Sequence, residues 1–360
     1  MKETIKKLQS YIPEETINQV KKKYHLSYIN RLSANENSYG TSPKVVTALQ
    51  NFDFSKSNFY PDGYAQELRT KVANQMQVDE KNIVFGVGLD EIISYLSRVF
   101  LEKGDEVIIP QPTFSEYKLN AEVEGAKVIS VSIDKLTGRY DYETMLTKIT
   151  SRTKIIWICN PNNPTGVYEP VAALERFIKQ VPQNILVLID EAYIQFVTGL
   201  KEASALPLLK EFDNVGIMRT FSKAYGLANF RVGFIVLSSK LAEYMQTVRL
   251  PYNLNSLSQK AAGVALDDQA FVKQVQAKNA IERDKWQTFL KRVGLKYYPS
   301  QANFIYFYVD NSAALADKLL SNGFQVRRGL EPTSLRITIG KAEANVRMQN
   351  IIAQYLNKLD

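Results

Sequence analysis

Ile185-Leu186-Val187-Leu188-Ile189-Asp190-Glu191-Ala192-Tyr193 is the stretch on which the fold turns. Five apolar residues follow one another with no polar alternation, so the strand they form is buried, and it stops at a carboxylate. An Asp at the carboxyl end of a parallel strand lies where open α/β sheets bind ligands. Working outward, short apolar strands are expected at 83–85, 107–109, 128–133, 155–159, 215–218 and 232–237, with helical patterns between them. That alternation predicts an α/β domain with a mainly parallel, mixed sheet flanked by helices. After Leu241 the pattern changes. One long charged helix is expected from Leu257 to about Phe289, then a strand at 304–309, a helix at 313–321, strands at 325–327 and 334–339, and a closing helix. This order predicts a smaller α+β domain. The expected organisation is an N-terminal arm over 1–35 that joins the small domain, a large domain over 36–245 and a small domain over 246–360. The arm reads as helical from Lys2 to Tyr24, broken near Pro13.

Composition narrows the class. With 360 residues, 45% hydrophobic and 23% charged, the chain has the balance of a soluble enzyme with a large core. No apolar run approaches the ~18–20 residues that span a bilayer, and the Lys-rich start lacks the apolar core of a signal peptide. Cys159 is the only cysteine, so an internal disulfide is impossible and a cytoplasmic home is expected; the thiol reads as buried and inert. His25 is the only histidine, which excludes a His-rich metal site. The net charge of +8 is spread along the chain, and anionic small molecules account for it without nucleic acid.

Three further loops stand at expected strand ends. Gly86-Val87-Gly88-Leu89-Asp90-Glu91 opens a helix, whose free backbone N–H groups and dipole suit an anion. Asn160-Pro161-Asn162-Asn163-Pro164-Thr165-Gly166 is a rigid loop with three asparagines. Thr220-Phe221-Ser222-Lys223-Ala224-Tyr225-Gly226-Leu227-Ala228-Asn229-Phe230-Arg231-Val232-Gly233 sets a lysine among small and hydroxylated residues, with an arginine downstream. A lysine held in a dry pocket forms a Schiff base with an aldehyde. Ser222 and Arg231 suit a phosphate beside it.

Pyridoxal 5'-phosphate is an aldehyde that carries a phosphate, and these loops fit it. Asp190 would keep the ring nitrogen protonated. Asn163 and Tyr193 would donate to the phenolic oxygen. Phe114 would cover the ring. The amides of Gly88, Leu89 and Asp90, with Ser222 and Arg231, would take the phosphate, and Lys223 would close the Schiff base. Each residue also has a structural alternative: Asp190 as a helix cap, Asn163 serving its own turn, Phe114 as plain core. Their joint occurrence in the right loop types is what carries the reading.

With these motifs, and with Asn35-Glu36-Asn37, Tyr39-Gly40, Tyr60-Pro61-Asp62-Gly63 and Leu335-Arg336-Ile337-Thr338-Ile339-Gly340, the chain resembles the fold-type-I pyridoxal-phosphate-dependent aminotransferases of class I/II over nearly its whole length, most closely the histidinol-phosphate aminotransferase family. The resemblance implies ping-pong transfer of an amino group from histidinol phosphate to 2-oxoglutarate, giving glutamate, in histidine biosynthesis. It implies Lys223, Asp190 and Tyr193 as the catalytic set. Substrate would be held by Tyr11, Asn37, Arg336 and a second arginine, Arg327, with Arg328 as the alternative. Tyr60 would reach the cofactor phosphate of the neighbouring subunit, so a homodimer is implied. The chain departs from the family pattern at Ser38, where proline is usual. An aromatic amino-acid aminotransferase or a phosphothreonine decarboxylase on the same scaffold are the rival enzymes. A non-catalytic binder of the cofactor, or a sensor fused to a DNA-binding domain, fits less well.

Overall fold

The computed structural model describes residues 5–8, 15–328 and 331–357. Among them the strands are β1 (Asn30–Leu32), β2 (Ile83–Val87), β3 (Glu106–Gln111), β4 (Lys127–Ser132), β5 (Thr153–Cys159), β6 (Leu186–Asp190), β7 (Val215–Thr220), β8 (Val232–Val236), β9 (Phe304–Tyr308), β10 (Phe324–Arg328) and β11 (Ser334–Thr338). The α-helices are α1 (Ile17–Tyr24), α2 (Pro43–Gln50), α3 (Gln66–Met76), α4 (Gly88–Phe100), α5 (Ser115–Glu124), α6 (Tyr142–Thr147), α7 (Val171–Ile178), α8 (Ser239–Val248), α9 (Ser256–Asp267), α10 (Gln269–Arg292), α11 (Ser312–Ser321) and α12 (Ala342–Leu356).

Seven strands form one sheet in the order β2-β8-β7-β6-β5-β3-β4. Its members are parallel except β8, which runs antiparallel to both β2 and β7. The apolar runs that mark β5 and β6 have a simple cause. Ile155, Trp157, Leu186 and Leu188 enter the core on one face, while Ile156, Ile158, Val187 and Ile189 enter a second core on the other. With both faces dry, the middle of these strands is apolar at every position, and each fully buried side chain contributes about 1.5–3 kcal/mol. Four strands form a second sheet, β1-β10-β11-β9, in which β1 is parallel to β10 and the other pairs are antiparallel. Its core is filled by Trp286, Phe289 and Leu290 of α10 and by Met348 and Ile352 of α12.

Several local expectations change. The charged stretch after Leu257 is two helices, α9 and α10, which break at Asp268. The Asp268 carboxylate accepts from Ser42 Oγ at 2.5 Å and pairs with Lys44 Nζ at 3.0 Å, so a contact distant in sequence fixes the break. Helix α9, which lies within the expected small domain, packs on α2 and α3. Strand β1 has no counterpart in the sequence reading, because three residues that include Asn30 and Arg31 carry no apolar pattern. Only part of the N-terminal arm lies among the described residues, and the expected break near Pro13 lies outside them. A 3₁₀ turn covers Ile5–Lys7, and α1 begins after Thr16, which makes a capping box with Gln19.

Candidate active site

The loops singled out by the sequence emerge at the carboxyl ends of β2, β5, β6 and β7, and Phe114 follows β3. The chain leaves β3 outward to β4, whereas β5 lies on the opposite side of β3, so the connections after β3 and β5 diverge and open a crevice between them. The two loops that flank it are tied together. Thr113 Oγ1 donates to Asn162 Oδ1 at 3.0 Å, and Asn162 Nδ2 donates to the Pro112 carbonyl at 3.1 Å.

Asp190, the last residue of β6, is 3% exposed. Its Oδ2 accepts from the Tyr117 hydroxyl at 2.6 Å and its Oδ1 from the Ala192 amide at 2.9 Å. Burial pushes its carboxyl up to about 6, and these two donors hold it from going further. Tyr117 is fully buried and lies flat on Trp157, ring centroids 4.4 Å apart. Phe114 meets Tyr117 edge-on at 5.6 Å. Cys159 is buried and its thiol is pushed up by that burial, so it is inert as expected.

Lys223 Nζ donates to the Ala34 carbonyl at 3.0 Å and lies 5.8 Å from the Tyr193 ring centre. Burial, reinforced by the Arg336 guanidinium, pulls this amine down to about 8. A useful share of it is therefore neutral near pH 7.5, which is what an amine needs to act as nucleophile or base. Arg336, in the middle of β11, donates to Asn163 Oδ1 and to the Ser33 carbonyl. Asn163, Arg336, Tyr193 and Lys223 are thus brought together.

The turn expected to hold an anion opens α4. Gly88 has φ +74°, and a Cβ there would run into the Arg231 guanidinium, so only glycine fits. Arg231 itself adopts a left-handed backbone, φ 54°. Its carbonyl accepts from the Gly88 amide at 3.0 Å, and its Nη2 pairs with Asp90 Oδ2 at 2.9 Å. Leu89 and Ser222 are buried, and the Ser222 amide donates to Thr220 Oγ1 at 3.0 Å.

The second sheet turns Arg336 toward this crevice. In the register of β10 and β11, Arg327 stands directly opposite Arg336, so both side chains leave the same face. Arg328 points to the other face and pairs with Asp317 at 2.8 Å on the surface. A strap that follows β1 crosses between the two sheets. Asn35 donates to Tyr193 Oη at 3.0 Å, Asn37 Nδ2 to the Ala224 carbonyl at 2.9 Å, and Ser38 Oγ to the Ile339 carbonyl at 2.8 Å. The serine that replaces the family's usual proline therefore ties this loop down.

Tyr60 is expected at the site of a neighbouring subunit rather than at its own. Tyr60 is 81% exposed and stacks on Tyr252 of its own chain at 4.7 Å. Tyr11 lies outside the described residues. Three groups at the site are absent from the sequence reading: Tyr117, Asn35 and the Ala34 carbonyl. Asn35 was visible in the Asn-Glu-Asn motif, but the partners of all three lie far off in sequence.

Residues 29–349 match the family described as aminotransferase class I and II. The chain is 53% identical over 359 residues to the histidinol-phosphate aminotransferase of Limosilactobacillus fermentum, with 99% of each chain covered. It is 50% identical over 355 residues to that of Lactiplantibacillus plantarum, again with 99% of each covered. The crystal structure of histidinol-phosphate aminotransferase from Sinorhizobium meliloti, in complex with pyridoxal-5'-phosphate, shares the fold, with a TM-score of 0.87 at 24% identity, covering 100% of this chain and 98% of the other.

Proposed function

Since the chain belongs to the class I and II aminotransferases, among the histidinol-phosphate aminotransferases, we propose that it moves the amino group of histidinol phosphate to 2-oxoglutarate with pyridoxal 5'-phosphate as cofactor. The observation that carries the reading is Lys223: a half-buried lysine whose amine is drawn down to about 8 by desolvation, in one pocket with Tyr193 and Arg336. The fit of the cofactor is supported by the cup at Gly88, which a Cβ would fill, and by the buried carboxylate at the end of β6.

When bound, pyridoxal phosphate supplies the aldehyde that takes up an amino group and a ring that absorbs the charge left by a departing proton. Lys223 Nζ would hold the aldehyde carbon and, once the incoming amine displaces it and leaves it a free amine, would carry a proton between the substrate carbon that bears the amine and the cofactor. Asp190 holds the proton on the ring nitrogen. Tyr193 and Asn163 meet the phenolic oxygen, and Phe114 covers one ring face against water. Leu89, Asp90, Ser222 and Arg231 would hold the cofactor phosphate at the N-terminus of α4; the Gly88 amide is taken by the Arg231 carbonyl, and this glycine instead leaves room for the guanidinium.

Arg336 and Arg327 hold the substrate anion, which is a phosphate in one half-reaction and a carboxylate in the other; a guanidinium binds either group bidentately. Asn37 and Tyr11 close the substrate side. Tyr60 completes the phosphate cup of a second copy, which makes the working unit a homodimer. The exposed cluster of Phe54, Phe59, Tyr60 and Tyr64 supports such a face. The described residues hold no helix long and apolar enough to cross a membrane.

The test is borohydride reduction of the loaded enzyme with peptide mapping, joined to single-turnover absorbance with histidinol phosphate, phenylalanine and glutamate. Label on Lys223 and preference for histidinol phosphate are expected. Label on another lysine overturns the cofactor site, and preference for phenylalanine overturns the substrate.

A further inference from the structure

We propose that Asn35 is a positioning residue that fixes the direction of the Tyr193 hydroxyl, so that the phenol can act only as a donor into the cofactor pocket. The inference rests on the reading that Tyr193 meets the cofactor's phenolic oxygen.

A closed run of hydrogen bonds sets the direction. The Asn35 backbone N–H donates to Thr338 Oγ1 at 3.0 Å. The Thr338 hydroxyl directs its one hydrogen at Asn35 Oδ1, 3.1 Å away. With its oxygen on Thr338, the Asn35 amide nitrogen faces Tyr193 Oη at 3.0 Å, and an NH₂ group can only donate. Tyr193 must therefore accept, and its own hydrogen leaves on another side. A flipped amide would strand the Thr338 hydroxyl. Thr338 is 1% exposed, and among the described residues its hydroxyl has no acceptor besides Asn35 Oδ1.

The backbone is as constrained as the side chain. Asn35 is 1% exposed with φ 55°, a left-handed conformation that asparagine tolerates better than most residues, and its carbonyl accepts from Asn303 Nδ2 at 3.1 Å. The tyrosine ring is pinned too, edge-on to Phe304 at 5.0 Å. The charged and titratable groups that face Tyr193 are Arg336 from β11, Cys159 from β5, Asp190 from β6 and Lys223 from the loop after β7. None of them dictates which way the hydroxyl turns; Asn35 does.

A donor aimed at an oxygen anion stabilises the deprotonated form of the group that bears it, so its loss raises the pH at which that group titrates. The experiment follows the absorbance of the cofactor-loaded enzyme against pH, and the cofactor Kd, in wild type and four variants. Tyr193→Phe removes the donor and should raise the midpoint by about one pH unit. Asn35→Asp keeps the shape but turns the donor into an acceptor, pulls the tyrosine hydrogen onto itself, and should raise the midpoint by a comparable amount. In the Tyr193→Phe background the same Asn35→Asp change should add less than about 0.3 unit, because the two act through one group. Asn35→Gly keeps the left-handed backbone without strain and leaves the tyrosine free to donate, so its shift should be clearly the smaller.

A wild-type midpoint in Asn35→Asp beside a shifted Tyr193→Phe overturns the inference and leaves the role of Tyr193 intact. A full additional shift in the double variant overturns it as well, since the new carboxylate then acts by charge alone. So does an Asn35→Gly shift as large as that of Asn35→Asp. An unshifted Tyr193→Phe instead removes the reading of Tyr193 on which the inference stands.

Discussion

The two walls of the crevice are built by different means. On the large sheet, Asp190, Asn163 and Lys223 sit in loops or at strand ends, each delivered by the register of parallel strands. On the small sheet, Arg336 and Arg327 project from strand interiors, and their common face exists only because β10 and β11 pair Arg327 with Arg336. A parallel sheet gathers distant loops at one edge, so a short motif is enough to mark them. An antiparallel pair hides its site in the register, and two arginines look like any other strand residues. The second wall is set by a register that one inserted residue would turn inside out.

Substitutions sharpen this contrast, beginning with the first wall. Lys223→Ala should lower turnover by more than about 10⁴-fold, because holding of the cofactor and proton transfer are lost together. Cofactor should remain bound without a covalent link, as equilibrium dialysis would register. In the wild type, the rate of cofactor attachment should climb with pH through about 8, where the buried amine gives up its proton.

Asp190→Asn should cost roughly 10²–10³-fold in kcat, the usual scale for losing one charged group aimed at the reacting centre. It should also change the pH dependence. The wild-type carboxyl titrates at about 6, and cofactor binding favours its ionised form, so affinity should fall as pH drops through 6. The asparagine variant has no such acid limb. A fluorescence titration of cofactor Kd between pH 5 and 8 separates the two, and an unchanged acid limb in Asp190→Asn would place the titrating group elsewhere.

On the second wall the effects are smaller and selective. Arg336→Ala should reduce kcat/KM for histidinol phosphate and for glutamate by roughly 30- to 1000-fold, since both anions lose a charge-assisted partner. Arg327→Ala should harm histidinol phosphate more than phenylalanine. Equal loss for both would mean that Arg327 supports the strand rather than the phosphate. Arg328→Ala should stay within about twofold, because its pairing with Asp317 is an exposed surface bridge.

The sequence made the large sheet legible because β5 and β6 are dry on both faces, so their apolar runs needed no partner to be recognised. Asp190 was legible for the same reason, as the first polar residue after such a run. Tyr117 was not. It reads as an ordinary early residue of a helix, and its bond to Asp190 spans 73 positions. The break between α9 and α10 escaped for a similar reason: its anchor, Ser42, lies 226 positions upstream. Arg327 and Arg328 could not be told apart by neighbours in the chain, only by which of them faces Arg336. What was lost is consistently pairing at long range, whereas local pattern was kept.

The strap after β1 has a consequence for how the protein comes to be made. Its anchor, the pairing of Asn30 with Phe324, joins two ends of the chain that leave the ribosome far apart in time. The carbonyl that receives Lys223 and the asparagine that donates to Tyr193 hang from that pairing. The large sheet can collapse as soon as β8 is synthesised, yet its lysine has no perch until β10 arrives. Contacts of such high sequence separation form late and slowly. A nascent chain halted before β10 would thus hold a folded sheet and a pocket missing one side, with the buried amine still open to water and to any passing aldehyde.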